Sequence, residues 1–304
     1  MSLLKFRRPA PETAAPQMPD LAAFLQDFSI EVMPRTAEKI DDFRALLPDG
    51  TRVYIAHIDG TDISDMLATA RRLAADGFRV MPHFPARSIP DRATLADWIN
   101  RYQGEADVSE ALVLAGGIDR PIGAFESSMQ LLETGLFDGF KHIHVAGHPE
   151  GNRDIDPDGG DTTVMEALRW KEAYSRGTDA KMAIATQFAF EAKPIIAWAD
   201  RMAAEGITLP IHIGIAGPAK LQTLIKFAIA CGVGPSLKVL QKRAMDVSKL
   251  LLPYEPTEVL TALAAHKAAH PDFNIERVHF FPLGGIKTNA NWARDKSGAA
   301  PAAS

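Results

Sequence analysis

Short apolar, β-branched runs alternate with amphipathic runs of helical spacing from about residue 27 to residue 294. FSIEVMP (28–34), RVYIAHI (52–58), FRVMPHF (78–84) and ALVLAGG (111–117) are the first four strand-like runs. KHIHVAG (141–147), KMAIATQFAF (181–190), LPIHIGIAG (209–217) and ERVHFFPLGG (276–285) complete the set. Helix-like segments follow them. TAEKIDDFRALL (36–47) has a threonine cap, and DISDMLATARRLAADG (62–77) stops at Gly77. Repeated strand–helix units imply a parallel sheet, and eight of them imply a single closed (β/α)8 TIM barrel. An open doubly wound sheet would carry a glycine-rich dinucleotide turn after its first strand. The nearest such turn, LAGGIDRPIG (114–123), follows the fourth strand with the wrong spacing.

Two segments depart from the repeat. Residues 149–163 form a polar Gly/Asp-rich loop that is long for a strand–helix connection, as lids and ligand contacts often are. Residues 235–270 insert extra helices between strands 7 and 8, PSLKVLQKRAMDVSKLLL and PTEVLTALAAHKAAH. The expected organisation is a flexible lead-in over 1–24, the barrel over 25–294 and a disordered tail over 295–304.

A net charge of −5 gives no electrostatic footprint for nucleic acid or an anionic membrane surface. No apolar stretch is long enough to span a bilayer, and the N-terminus lacks the apolar core of a signal peptide. The one cysteine, Cys231, lies in the apolar run LIKFAIACGVG and reads as a buried structural thiol, which fits a reducing cytoplasm.

Five strand-like runs end in polar groups. In a parallel barrel those ends share one face, where active sites sit. Glu31 lies between Ile30 and Val32, so it faces the barrel interior while they face out. Burial there is expected to raise its pKa and suit it to proton donation. The other reading is a structural pair with Arg35 or another barrel base. His83 and His148 end their strands and could hydrogen-bond a bound ring or phosphate. The spacing of His148 and Glu150 lacks the geometry of a helical zinc motif, so no metal is expected. His142 and His144 alternate with apolar residues and could be satisfied core groups. Gln187 offers an amide that can read a heterocycle edge; the other reading is a buried glutamine bonded to neighbouring backbone. Asp119 follows two glycines and is expected to contact substrate, to tune a cofactor by its charge, or to cap its turn. Asp154, Asp156, Asp158 and Asp161 read as a solvated acidic loop without the full calcium-loop pattern.

These motifs together resemble the methylenetetrahydrofolate reductase family over roughly residues 27–290. The pieces are Glu31 followed by Pro34-Arg35-Thr36, Pro82-His83, Pro149-Glu150, Thr186-Gln187-Phe188, and the segment IHIGIAGPAKLQTLIKFAIACGV. The resemblance implies FAD at the strand C-termini, NADH or NADPH as hydride donor, and reduction of 5,10-methylenetetrahydrofolate to 5-methyltetrahydrofolate. It makes Glu31 the general acid and Gln187 a pterin contact. His83, the turn Ala115-Gly116-Gly117, His148, Glu150 and Asn152 would line the flavin. Several flavin-facing positions depart from the family pattern. Asp119 is displaced by two positions, Asn152 stands where a histidine is common, a helix lysine falls on Ala173, and Leu283-Gly284 replaces Leu-Asn. Other readings are a flavin-independent enzyme of the same reaction, a non-redox pterin methyltransferase-type barrel, and a non-catalytic folate-binding barrel.

Overall fold

The structure is a computed structural model that describes residues 20–232, 237, 239–241, 244 and 252–302. Eight parallel strands close into one barrel in sequence order, so the chain is a (β/α)8 barrel as its alternation predicts. The strands are β1 (Ser29–Val32), β2 (Arg52–Ile55), β3 (Arg79–Pro85), β4 (Glu110–Leu114), β5 (His142–Gly147), β6 (Lys181–Ala189), β7 (Ile211–Ala216) and β8 (Ile275–Phe281). Closure comes from β1 pairing with β8, Ser29 opposite His279.

The helices are α1 (Leu21–Phe24), α2 (Pro34–Ala37), α3 (Ile63–Ala75), α4 (Arg92–Ala106), α5 (Ser128–Glu133), α6 (Thr162–Ser175), α7 (Ala192–Ala204), α8 (Leu221–Ala230), α9 (Thr257–Ala269) and α10 (Ile286–Ser297). Side chains alternate along each strand. Ile30, Val53, Val80, Val113, Val145, Ile213 and Val278 point outward into one apolar shell shared with the helices. No helix among the described residues is long and apolar enough to cross a membrane.

Three expectations change, and one is met in part. The stretch 36–47 is not one helix. Helix α2 starts at Pro34, which suits a first helical position, and ends after one turn. Phe43 and Leu47 are then buried from turns rather than from a helical face. Of the two extra helices, α9 is present, and most of 235–251 lies outside the described residues. The lead-in already contains α1 by residue 21. At the other end α10 runs to Ser297, and the Ala302 amide donates to the Leu47 carbonyl at 2.8 Å, so the tail is tied to the barrel.

One glycine shapes the rim of the barrel. A Cβ on Gly214 would lie 2.3 Å from the Thr186 carbonyl oxygen, so β7 can approach β6 here only without a side chain. This is where the β6–β7 register shifts, between Ala185 and Phe188, and Gln187 sits within that irregularity.

Candidate functional site at the barrel mouth

The barrel interior is polar along much of its length, where aliphatic layers are the usual filling. Glu31 enters from β1. His83 Nε2 stands 3.3 Å from its Oε2, without the alignment of a hydrogen bond, and His279 Nε2 stands 3.9 Å away. The Nδ1 of His279 is 3.0 Å from the Ser29 hydroxyl. Tyr54 packs its ring on His279 at 4.2 Å between centroids and bonds His144 Nδ1. His144 meets the edge of His212 at 4.5 Å. A contiguous column of ionisable side chains therefore runs down the barrel from Glu31.

The electrostatics overturn one expectation. Burial alone would raise the Glu31 carboxyl, but the imidazoles of His279 and His83 outweigh it and hold its pKa at about 2. Glu31 is an ionised carboxylate near neutral pH rather than a stored acid. Its partners are these two imidazoles and not Arg35, which is exposed on α2. Burial lowers His279, with Glu31 pulling the other way. Burial also lowers His144 and His212 well below the ordinary imidazole value, with neighbouring positive charge adding to it, so both are neutral.

Gln187 lies at the C-terminal end of β6 and donates from Nε2 to the Cys231 carbonyl at 3.5 Å. Cys231 is exposed at the end of α8, not buried, because that helix ends in a turn at the barrel rim. Partial desolvation and then the Glu31 charge raise its thiol pKa. Glu31 and Gln187 both lie toward the C-terminal ends of their strands, Glu31 on β1 and Gln187 on β6.

The other predicted residues are more dispersed. The Ala115 carbonyl accepts from the Arg87 amide at 2.9 Å, and Gly116 takes φ 96° beside Pro85. The turn is therefore fastened to the end of β3, near His83. Asp119 is exposed, with no partner among the described residues. Asn152 accepts from the Asp154 amide through Oδ1 at 2.9 Å, so it shapes its own loop. Glu150 lies partly buried in that loop. Asp156 is not solvated. It is buried and accepts from the Thr163 and Val164 amides at 2.9 and 3.1 Å, capping α6.

Burial lowers His148 to about 4, with the Lys171 charge adding to it. Lys171, on α6, is a residue that sequence reading passed over in favour of Ala173. It is 5% exposed, has no ion-pair partner among the described residues, and burial lowers its ammonium to about 8. A buried ammonium without a counter-charge costs the fold stability. Replacing Lys171 by methionine is expected to stabilise the fold at pH 7 by about 3 kcal/mol, the equivalent of the shift from 10.5 to 8. The unfolded chain binds the extra proton between those values. The advantage of methionine therefore shrinks as pH rises from 8 through 10.5, and denaturant unfolding at both ends of that window checks it.

A flavin requires its contact residues to converge. Asn152 spends its amide oxygen on its own turn, and Asp119 stands exposed and unpartnered among the described residues. Of the positions the resemblance gives to FAD, the turn 115–117 lies against the end of β3 near His83, whereas Asn152 is engaged in its own loop. The groups at the folate positions, Glu31 and Gln187, share one end of the barrel.

No family model matches the chain. Among solved structures it is similar to a Clostridium thermocellum protein that binds two copies of 5-methyl-5,6,7,8-tetrahydrofolic acid. The TM-score is 0.54 at 10% identity, covering 92% of this chain and 99% of that one. N-acetylneuraminate lyase from Mycoplasma synoviae aligns at a TM-score of 0.31 and 13% identity, over 81% of this chain and 74% of that one, too weak a likeness to bear on function. The first likeness places the chain, over nearly its whole length, among barrels of the same fold.

Proposed function

We propose that this barrel is a tetrahydrofolate oxidoreductase that interconverts 5,10-methylenetetrahydrofolate and 5-methyltetrahydrofolate with NADH or NADPH, without a flavin intermediary. The observation that carries the reading is the Glu31 carboxylate facing into the barrel between His83 and His279, with Gln187 at the same mouth. The likeness to a barrel that binds 5-methyltetrahydrofolic acid supports a folate as the occupant.

In the reducing direction the bond from the methylene carbon to N10 breaks as N10 takes a proton. The dihydronicotinamide then gives its hydride to that carbon. With Glu31 ionised, the proton is carried by the carboxylate and its two imidazoles as one titrating unit. Glu31 orients the rings and stabilises the imidazolium that gives its proton to N10; the ring is left neutral and regains a proton from solvent after turnover. Gln187 contributes a neutral donor and acceptor to the pterin edge. Direct transfer requires both substrates in the mouth at once, within van der Waals reach.

Anaerobic stopped-flow with purified protein, NADH and methylenetetrahydrofolate tests this. Nicotinamide oxidation is expected only when both substrates are present, with no flavin absorbance in the protein. Bleaching of a flavin band by NADH alone would restore the FAD mechanism. Folate binding with no nicotinamide oxidation would favour a non-redox methyl-transfer or binding role.

A further inference from the structure

The opposite, N-terminal mouth of the barrel opens into a cavity of about 810 Å³. That volume lies within the range of about 300–1,000 Å³ usual for small-molecule sites. Its wall is built from the first residues of successive strands, and five of its side chains are basic: Arg52, Arg79, Lys141, Lys181 and Arg277. Two carboxylates, Glu110 and Glu276, share the wall, so the lining carries +3 (five minus two) in a chain whose net charge is −5.

The carboxylates are already committed. Glu110 holds both Arg52 and Arg79, at 2.6 and 2.8 Å, and Glu276 lies 3.2 Å from Arg277. The ammonium groups of Lys141 and Lys181, exposed at the rim, have no partner among the described residues. At the inner end, His212 is 3% exposed, and its Nδ1 has no hydrogen-bond partner among the described residues. A face that served stability alone would pair its cations. This one leaves charge and a buried ring nitrogen uncompensated around a cavity.

We infer that the N-terminal cavity is a second binding site, for a small molecule bearing two or more anionic groups, phosphates or carboxylates. The cations sit on β2, β3, β6 and β8 and just before β5, so they surround the mouth. A monovalent anion could satisfy only part of that ring, whereas separated anionic groups can reach both the arginine side and the lysine side. Arginine forks suit phosphate and carboxylate geometry, and lysines supply point charge. The inference does not depend on what binds at the opposite mouth.

Isothermal titration at fixed ionic strength, with pyrophosphate in one arm and citrate in the other, tests it. Saturable binding of at least one probe is expected, and the tighter probe assigns the anionic group. The double variant Lys141→Ala/Lys181→Ala is expected to weaken that binding about tenfold through loss of two charges. Lys39→Ala/Lys193→Ala removes the same charge from exposed sites elsewhere and should bind as the parent does. Lys181→Glu, which keeps a long polar side chain at the rim, should weaken binding as well if the double variant fails to fold. Glu31→Gln should leave the affinity unchanged, which separates this site from the folate reading. The inference is overturned if neither probe saturates, or if the cavity variants bind as tightly as the control.

Discussion

Glu31→Gln is expected to lower NADH-dependent reduction of methylenetetrahydrofolate by about 10²–10⁴-fold, the usual worth of a positioned proton-transfer group. Binding of 5-methyltetrahydrofolate, followed by fluorescence titration, should stay within a few-fold of the parent, since glutamine keeps the shape. Turnover equal to the parent's would remove Glu31 from the mechanism. The same substitution has a second signature. The folded carboxyl titrates at about 2, against 4.5 ordinarily, and the side chain is 18% exposed. Its ionised form therefore contributes about 3 kcal/mol of stability. That contribution is fully present above pH 4.5 and is lost as pH falls toward 2. The stability gap between parent and variant should close over that window. A role confined to structure would give the gap without the kinetic loss, so the pair of measurements separates the two.

The strand–helix alternation made the barrel legible because an eight-fold repeat of buried strands has few other solutions. Glu31 was legible for the same reason, since alternation alone turns it inward between Ile30 and Val32. Its charge state was not. That depends on His279, which β-strand pairing brings beside Ser29 from 250 residues away. The signal was present in ERVHFF, where a lone histidine alternates with apolar neighbours, but a single such residue carries little weight without its partners. The stretch 36–47 misled because its spacing suits a helix, while the structure buries Phe43 and Leu47 from turns. Cys231 misled because an apolar run predicts burial, and the run happens to end at the rim. The polar lower half of the barrel was overlooked although its pattern repeats. Arg52, Arg79, Glu110, His142 and Lys181 each open their strand. A polar residue at a strand's first position looks like a boundary until closure gathers all of them into one ring.

That ring supplies the largest expected effect on stability. Glu110→Gln should destabilise the barrel by about 3–5 kcal/mol, as removal of one member of a buried charge cluster does. Glu110 is 8% exposed at its side chain and accepts from Arg52 Nε at 2.6 Å and from Arg79 Nη2 at 2.8 Å, with His142 Nδ1 3.2 Å away. Arg52, at 6% exposure, cannot turn to water when that carboxylate is neutralised, whereas Arg79 is 40% exposed and can. The penalty therefore belongs mainly to Arg52. Glu110→Gln combined with Arg52→Met should recover much of the loss, and a double-mutant cycle by urea unfolding measures the coupling. Burial would raise the Glu110 carboxyl, but the two guanidiniums outweigh it and hold it below its ordinary value. Its stabilising contribution is present above the ordinary carboxylate range and lost as pH falls through the lowered value. The parent should thus approach the single variant's stability in acid. If the single variant instead matched the parent at pH 7, the guanidinium of Arg52 would be satisfied by groups other than Glu110, and the buried pair would not hold this end of the barrel.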